Sequence, residues 1–538
     1  MFESEKLINR IMFNGASVPL AINTASNDLI AYYTKTLEVF DDSSGVYTSS
    51  ISGSQFYSQQ HLKYVNLPAA SGAIGSNAFI GCYSLSRFIM PNCTSIYSNA
   101  FQNCSSLESV DFPKCTLLST SAFYSCSKLS YVNMPLLSAL NTVGTFNGCS
   151  ALETINAPLV SVLAEYVFYC CSALKNCNID WSNITSIPNG CFGGCGLERV
   201  DIPNVSRIEG YAFAGCRALS EINASNVTSI SYYTFNKCVA LKSVNFPLLT
   251  SLNSGCFNGC TALSNVIVNT SAITTLPSSC FQSCTSLEVV SFPNVASVYP
   301  SALFGCSGLK VVNLPNMSSF SMGYDGSNLF AGCGNLEEVY LPNYQSAYTY
   351  YLGLAGKSAL RVINLDNCTS AIYLQNCTSL ESVSFPKANG GYFQGCTSLK
   401  TANMPLCTGL YGSAFTNCTA LTSISVPELT ELRGSSIFQS CTSLRLISLP
   451  KCSYISGYYM FSDCSNLSMF VIGTGYSSVC VLSDPYATFA NSPIQYSSYL
   501  GYFGSIYVPA SLVDAYKTAT NWTVYSDRIT SIDNLPTT

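Results

Sequence analysis

Along most of the chain the apolar residues fall on a fixed phrase, F-x-x-C-x-x-L-x-x-V-x-L-P. Its leucine recurs at Leu62, Leu85, Leu107, Leu129, Leu152 and Leu174 and continues to Leu467. The spacing is mostly 22 or 23 residues. That is the length of one supersecondary unit and too short for a domain, so the pattern predicts about 19 coils stacked into a solenoid. Within one coil, Leu107, Val110 and Phe112 follow L-x-x-L-x-L. Alternation turns Val110 and Phe112 inward and Ser109 and Asp111 outward, which predicts a short strand buried on one face. Pro113 stops it, because proline has no N–H to give the ladder and fixes φ for the turn. A second short apolar segment, such as Thr94 to Ile96, then leads into S-x-A-F-x-x-C. There Ala100, Phe101 and Cys104 fit one turn of helix with a common inward face. The predicted fold is a β-rich repeat solenoid, with a parallel sheet on one face and short helical turns or strands on the other.

The same register sorts residues into columns. Phe101, Phe123, Phe213 and Phe235 share one, and each buried ring is worth roughly 1.5 to 3 kcal/mol. Of the 28 cysteines, seventeen share another, among them Cys104, Cys126, Cys149, Cys216, Cys238 and Cys260. Stacked at about 4.8 Å, they are expected as a reduced ladder of small buried side chains that run parallel instead of toward each other. Cys191 with Cys195, Cys256 with Cys260 and Cys280 with Cys284 resemble zinc pairs, yet the first cysteine of each stands where the repeat has alanine. Zinc needs four converging ligands, so neither metal nor cofactor is expected.

Outside the repeat, residues 1–55 read as an N-terminal cap or attachment segment and 56–473 as the solenoid. Residues 474–538 read as a C-terminal cap with a strand and a short amphipathic helix, on which Leu512, Val513 and Tyr516 share a face near Trp522. Charged residues make up only 9% of the chain and the formal net charge is -5. Twenty-three Lys and Arg, scattered singly, form no stripe that would neutralise phosphates, which argues against nucleic acid. No stretch reaches the roughly 18 apolar residues of a membrane span. Met1 to Asn14 lacks the apolar core of a secretory signal, which leaves localisation open.

Little chemistry is visible. His61 is the single histidine, carboxylates are isolated, and no phosphate-binding glycine loop precedes a helix, so an enzyme is not expected. The outward strand column is more informative. It carries nine asparagines, including Asn133, Asn156, Asn178, Asn223 and Asn245. Amides at strand spacing bond to one another, so the column reads either as a self-satisfying ladder or as a polar floor for a ligand. Tyr64, Arg87, Tyr131 and Arg199 in the adjacent column give that floor local character. A second candidate is the tyrosine-rich segment Tyr340 to Gly356 with Tyr344, Tyr348 and Tyr350, where the repeat spacing breaks and Lys357 replaces the column cysteine. Exposed tyrosine offers contact area at low entropic cost; the competing reading is a bulge whose tyrosines cover a distorted core.

The phrase carried by Ala100, Phe101, Cys104, Leu107, Val110 and Pro113 resembles that of the BspA-like leucine-rich repeats, a bacterial, phage and protist family. The resemblance spans about Phe56 to Gly473. It implies a curved right-handed superhelix and a surface or secreted adhesion or recognition role without catalysis. The expected function is binding of a protein or glycan through the solenoid face, on a cell surface or as a virion tail or fibre component. The alternatives are a rigid spacer with no ligand, on the order of 90 Å long from 19 coils, and, more remotely, a carbohydrate-active hydrolase. The last would need carboxylates clustered across coils.

Overall fold

Each strand is short because its flanks end it. In Tyr131–Asn133 the Val132 side chain is buried while Tyr131 and Asn133 face out, and Pro135 closes the segment one residue after buried Met134. The computed structural model describes residues 6–13, 16–22 (backbone only for these two), 37–43, 45, 47–321, 328–345, 349–475, 477–485, 487–495 and 504–536. It is a parallel β-solenoid of about 21 turns with few helices, formed as two compact units, Met1–Asn269 and Thr270–Thr538.

In the first unit, Asn176–Asn178, Thr154–Asn156, Tyr131–Asn133, Ser109–Asp111, Arg87–Ile89 and Tyr64–Asn66 lie side by side in one sheet. The sheet continues through Leu37–Asp41, parallel to Tyr64–Asn66, to an antiparallel pair, Lys6–Phe13 and Ala16–Ile22. Separate pairs follow, Arg199–Asp201 with Glu221–Asn223 and Ser243–Phe246 with Asn265–Val268. A second row of short parallel strands, such as Ser71–Ile74, Asn92–Ile96 and Leu117–Leu118, forms another side of each coil. The second unit repeats the plan. Its last strands, Met469–Ile472, Ser505–Val508 and Ile529–Ser531, are also parallel neighbours. There the helix Val513–Thr518 presents Tyr516 to the interior, while Leu512 and Val513 are half-buried. The buried Trp522 donates from Nε1 to the Cys480 carbonyl (2.7 Å) and Tyr516 Oη accepts from the Cys480 N–H (3.0 Å).

The Ala100–Cys104 stretch, where the spacing predicts a turn of helix, is a run of β-turns. Its N–H groups alternate. Those of Asn99, Phe101 and Asn103 donate to the Thr120, Ala122 and Tyr124 carbonyls of the next coil, whereas those of Ala100, Gln102 and Cys104 donate three residues back. A helix would spend every N–H within its own turn and leave the neighbouring coil unpaired. The alternation instead requires a left-handed residue at both ends, met by Asn99 (φ 57°) and Asn103 (φ 62°). Asparagine tolerates this conformation better than most residues.

Inside, the phenylalanines stack nearly face to face. Phe79, Phe101, Phe123 and Phe146 have successive ring centroids 5.2, 5.1 and 5.3 Å apart, with interplanar angles of 8° or less. Phe213 and Phe235 stack at 5.6 Å and 2°. In the second unit Phe415, Phe438 and Phe461 do the same, and Phe393 stacks on Phe415 at 4.9 Å with its plane turned by 23°.

Candidate binding site on the sheet face

The cysteine column lies wholly inside. Cys104, Cys126, Cys149, Cys216, Cys238 and Cys260 are buried, and none of the 28 cysteines is in a disulfide. The Cys126 thiol donates to the Phe101 carbonyl of the preceding coil (3.0 Å), an oxygen that also accepts the Cys104 N–H (3.0 Å). Cys104, Cys149, Cys216, Cys238 and Cys260 repeat the contact with Phe79, Phe123, Phe192, Phe213 and Phe235 at 3.0 or 3.1 Å. Burial pushes the Cys216 thiol up to about 12 and those of Cys104, Cys126, Cys238 and Cys260 well above the ordinary range. Among the described residues no three His, Cys, Asp or Glu side chains converge as a metal site, and no helix is long and apolar enough to cross a membrane. His61 is exposed.

The sheet face carries the polar groups. Strand register sets Asp111, Asn133, Asn156 and Asn178 in one row. Each amide donates to the coil before it: Asn133 Nδ2 to Asp111 Oδ1 (2.7 Å), Asn156 Nδ2 to Asn133 Oδ1 (2.7 Å) and Asn178 Nδ2 to Asn156 Oδ1 (2.6 Å). Asn223 Nδ2 donates to Asp201 Oδ1 (2.8 Å). Asn245 is exposed opposite Ile267 of the next coil, which has no donor for its Oδ1. In the neighbouring column the Arg87 guanidinium lies over the Tyr64 ring (5.7 Å to the centroid), Tyr131 is 43% exposed, and Arg199 pairs with Glu221 across coils (2.7 Å).

The tyrosine-rich segment divides. Tyr344 is 1% exposed, so it is no surface contact residue and matches the reading of tyrosines that cover a distorted core; the ring replaces apolar side chains where the repeat spacing is irregular. Tyr348 lies outside the described residues. Tyr350 is 59% exposed on the short 3-10 turn Thr349–Leu352, with its ring edge-on to Tyr351 (5.4 Å) and Tyr373 (5.9 Å). Lys357 occupies the cysteine position and is only 8% exposed; burial lowers its pKa.

The row of amides stops at a groove. Asn176–Asn178 is the last strand of its sheet, and Arg199–Asp201 starts the next. Between them, Asp180 stands where most coils have proline, and it caps a 3-10 turn, Trp181–Asn183. Its Oδ1 accepts from the Ser182 N–H (3.1 Å) and hydroxyl (2.5 Å), and its Oδ2 from Asn183 Nδ2 (2.8 Å). These bonds, those from Ser182 first, hold its carboxyl below the usual range. Trp181 is thereby set into the gap, tilted against Phe192 at 5.8 Å. The groove has a volume of about 640 Å³ and is lined by Asn176, Asn178, Trp181, Arg199, Asp201 and Asn204 among others. Of the sequence candidates it gathers Asn178 and Arg199 only. Sequence reasoning passed over Trp181, although the loss of the proline in Ile179-Asp180-Trp181 was a readable signal.

The sequence model of the BspA type leucine rich repeat region matches residues 31–152, 115–220, 206–337, 321–405 and 370–494. No curated protein matches. Among solved structures, a leucine-rich repeat protein from Bacteroides ovatus is similar at 22% identity, over 61% of this chain and 88% of that one, with a TM-score of 0.49. A leucine rich cell surface protein from Faecalibacterium prausnitzii is similar at 24% identity, over 55% and 83%, with a TM-score of 0.36. A leucine-rich repeat protein from Eubacterium ventriosum is similar at 17% identity, over 55% and 86%, with a TM-score of 0.38.

Proposed function

The chain belongs to the BspA type leucine-rich repeat family, and from that premise we propose that it is a non-enzymatic recognition protein. It binds a protein or glycan partner through the outward face of its sheet, at the surface of a cell or of a virion. The observation that carries this reading is the fixed array of exposed polar side chains on that face. The amides from Asn133 to Asn178 are tied in a row, and Arg199 is held by Glu221. Side chains already held in place lose little freedom on binding, so such a face offers contacts at low entropic cost. The coil interior supports the same reading from the other side, because it is filled with Leu, Phe and Cys and leaves chemistry only to the outside.

The test uses the full chain, immobilised and exposed to arrayed glycans and to labelled candidate surface proteins. Saturable binding that falls at least tenfold in Arg199→Ala or Asn178→Ala, while Tyr97→Ala on another side of the coil leaves it unchanged, supports recognition. Silence against every ligand class favours a spacer.

A further inference from the structure

The amide row has a direction, and the direction creates a mismatch at one step. Every amide in it donates toward Asp111, so each oxygen waits for a donor from the following coil. Asn133 Oδ1 receives one from Asn156, and Asn156 Oδ1 receives one from Asn178. For Asn178 the residue in the next coil is Asp201, a carboxylate, which accepts and does not donate. Its Oδ1 is already taken by Asn223 Nδ2. Two acceptors therefore line the same groove, neither giving the other a donor, and Asn178 Oδ1 ends a chain of aligned hydrogen bonds that polarise one another. By contrast the step from Asp111 to Asn133 is matched, and the step from Asn66 to Ile89 is apolar.

We propose that this groove is a binding site for a neutral saccharide. Adjacent hydroxyls of one sugar donate to Asn178 Oδ1 and to the Asp201 carboxylate, supplying the donors that the next coil lacks. The exposed part of the Trp181 ring covers the apolar C–H face of the sugar, and the Asn204 and Asn176 amides border the site. Asn204 is anchored through Nδ2 to the Ser182 carbonyl (2.9 Å), and the Asp180 cap fixes the turn that carries Trp181. Charge selects against acidic sugars. Lys175 and Arg199 are each engaged by a carboxylate, Glu198 at 3.2 Å and Glu221 at 2.7 Å, which leaves the Asp201 charge uncompensated at the groove. A uronate or sialic acid would bring a second negative charge to it. The inference rests on the recognition reading and narrows it to one site and one ligand class.

The experiment measures binding of the full chain to panels of neutral oligosaccharides and their uronic-acid or sialylated counterparts, with thermal midpoints recorded for every variant. Wild-type protein is expected to retain at least one neutral panel member and to bind its acidic counterpart more weakly. Asp201→Asn provides the missing donor for Asn178 and removes the charge. It should weaken neutral-sugar binding by about tenfold or more without lowering the midpoint. Trp181→Ala should abolish binding and Trp181→Phe should restore part of it, which separates ring stacking from mere support of the turn. Tyr97→Ala, on another side of the coil, should change nothing. Neutral-sugar binding that survives both Asp201→Asn and Trp181→Ala, or equal binding of acidic sugars, overturns the proposal. So does an extended peptide that binds with unchanged affinity in Trp181→Ala, since that assigns the groove to strand addition along its open edges. If a protein partner binds and is lost in Arg199→Ala while no sugar binds, this inference falls and the recognition reading stands. If no ligand of any kind binds, both fall.

Discussion

The Cys126 thiol fills a space one sulfur wide and supplies a second donor to the Phe101 carbonyl, which explains why cysteine suits a position where alanine would leave that lone pair empty. The same burial makes the fold sensitive to alkali. Cys82, Cys216 and Cys306 are raised to about 12 from an ordinary 9.0, so the folded chain keeps protons that the unfolded chain releases. Their contribution is complete below pH 9 and is lost as pH climbs from 9 toward 12, by about 1.4 kcal/mol per pH unit for each thiol. Urea midpoints should be flat from pH 6 to 8 and fall steeply above pH 9; a level profile through pH 11 would contradict the assignment. Lys357 works in the opposite sense. Its pKa is lowered by burial, so its penalty is full below the folded pKa and eases as pH rises toward 10.5. Lys357→Cys restores the column residue and should raise stability at pH 7 by about 1–2 kcal/mol, read by urea titration.

Each coil is held to its neighbours by three kinds of contact with different weights. The ring stack is the strongest. Phe123 lies between Phe101 at 5.1 Å and Phe146 at 5.3 Å, so Phe123→Ala opens a cavity bordered by two coils and should cost about 3–5 kcal/mol. Asn156→Ala breaks two inter-coil amide bonds on a solvent-facing row and should cost only about 1–2 kcal/mol. Chemical denaturation of the two variants side by side tests that order, and a larger loss for Asn156→Ala would reverse it. The turn segment adds a backbone requirement. Left-handed residues recur at its two ends, as Asn99 and Asn103 in one coil and Gly190 and Gly194 in another. The side chain that a coil places there is coupled to the next one: a Cβ on Gly190 would collide with the Tyr166 ring.

At the scale of the whole molecule, stability comes from stacked columns and hardly from charge. Ion pairs such as Lys400 with Glu381 (2.8 Å) and Lys451 with Glu428 (2.7 Å) are solvent-exposed, and pairs of that kind contribute about 0–1 kcal/mol each. The cysteine count does not alter this, because no cysteine is in a disulfide and nearly all are buried. A reductant should therefore leave the thermal midpoint where it is. A drop of several degrees would reveal cross-links that the fold does not contain.

The repeat, the inward columns and the family were legible in the chain because a solenoid coil meets its neighbour under the same local rule each time. Period, alternation and the terminating proline then suffice to say which side of Val110 or Phe101 is buried. The order Asn156, Asn178, Asp201 is equally plain as letters, and so is the missing proline at Asp180. Only the fold decided what those letters do: that the sheet opens after Asn178, that Trp181 enters the gap, that Tyr344 is buried, and that the AF-x-x-C stretch forms turns in place of a helix. Each of these depends on groups about one coil away in sequence. Local pattern fixes which way a side chain points, while the donor, ring or cavity it meets is set by the coil stacked against it.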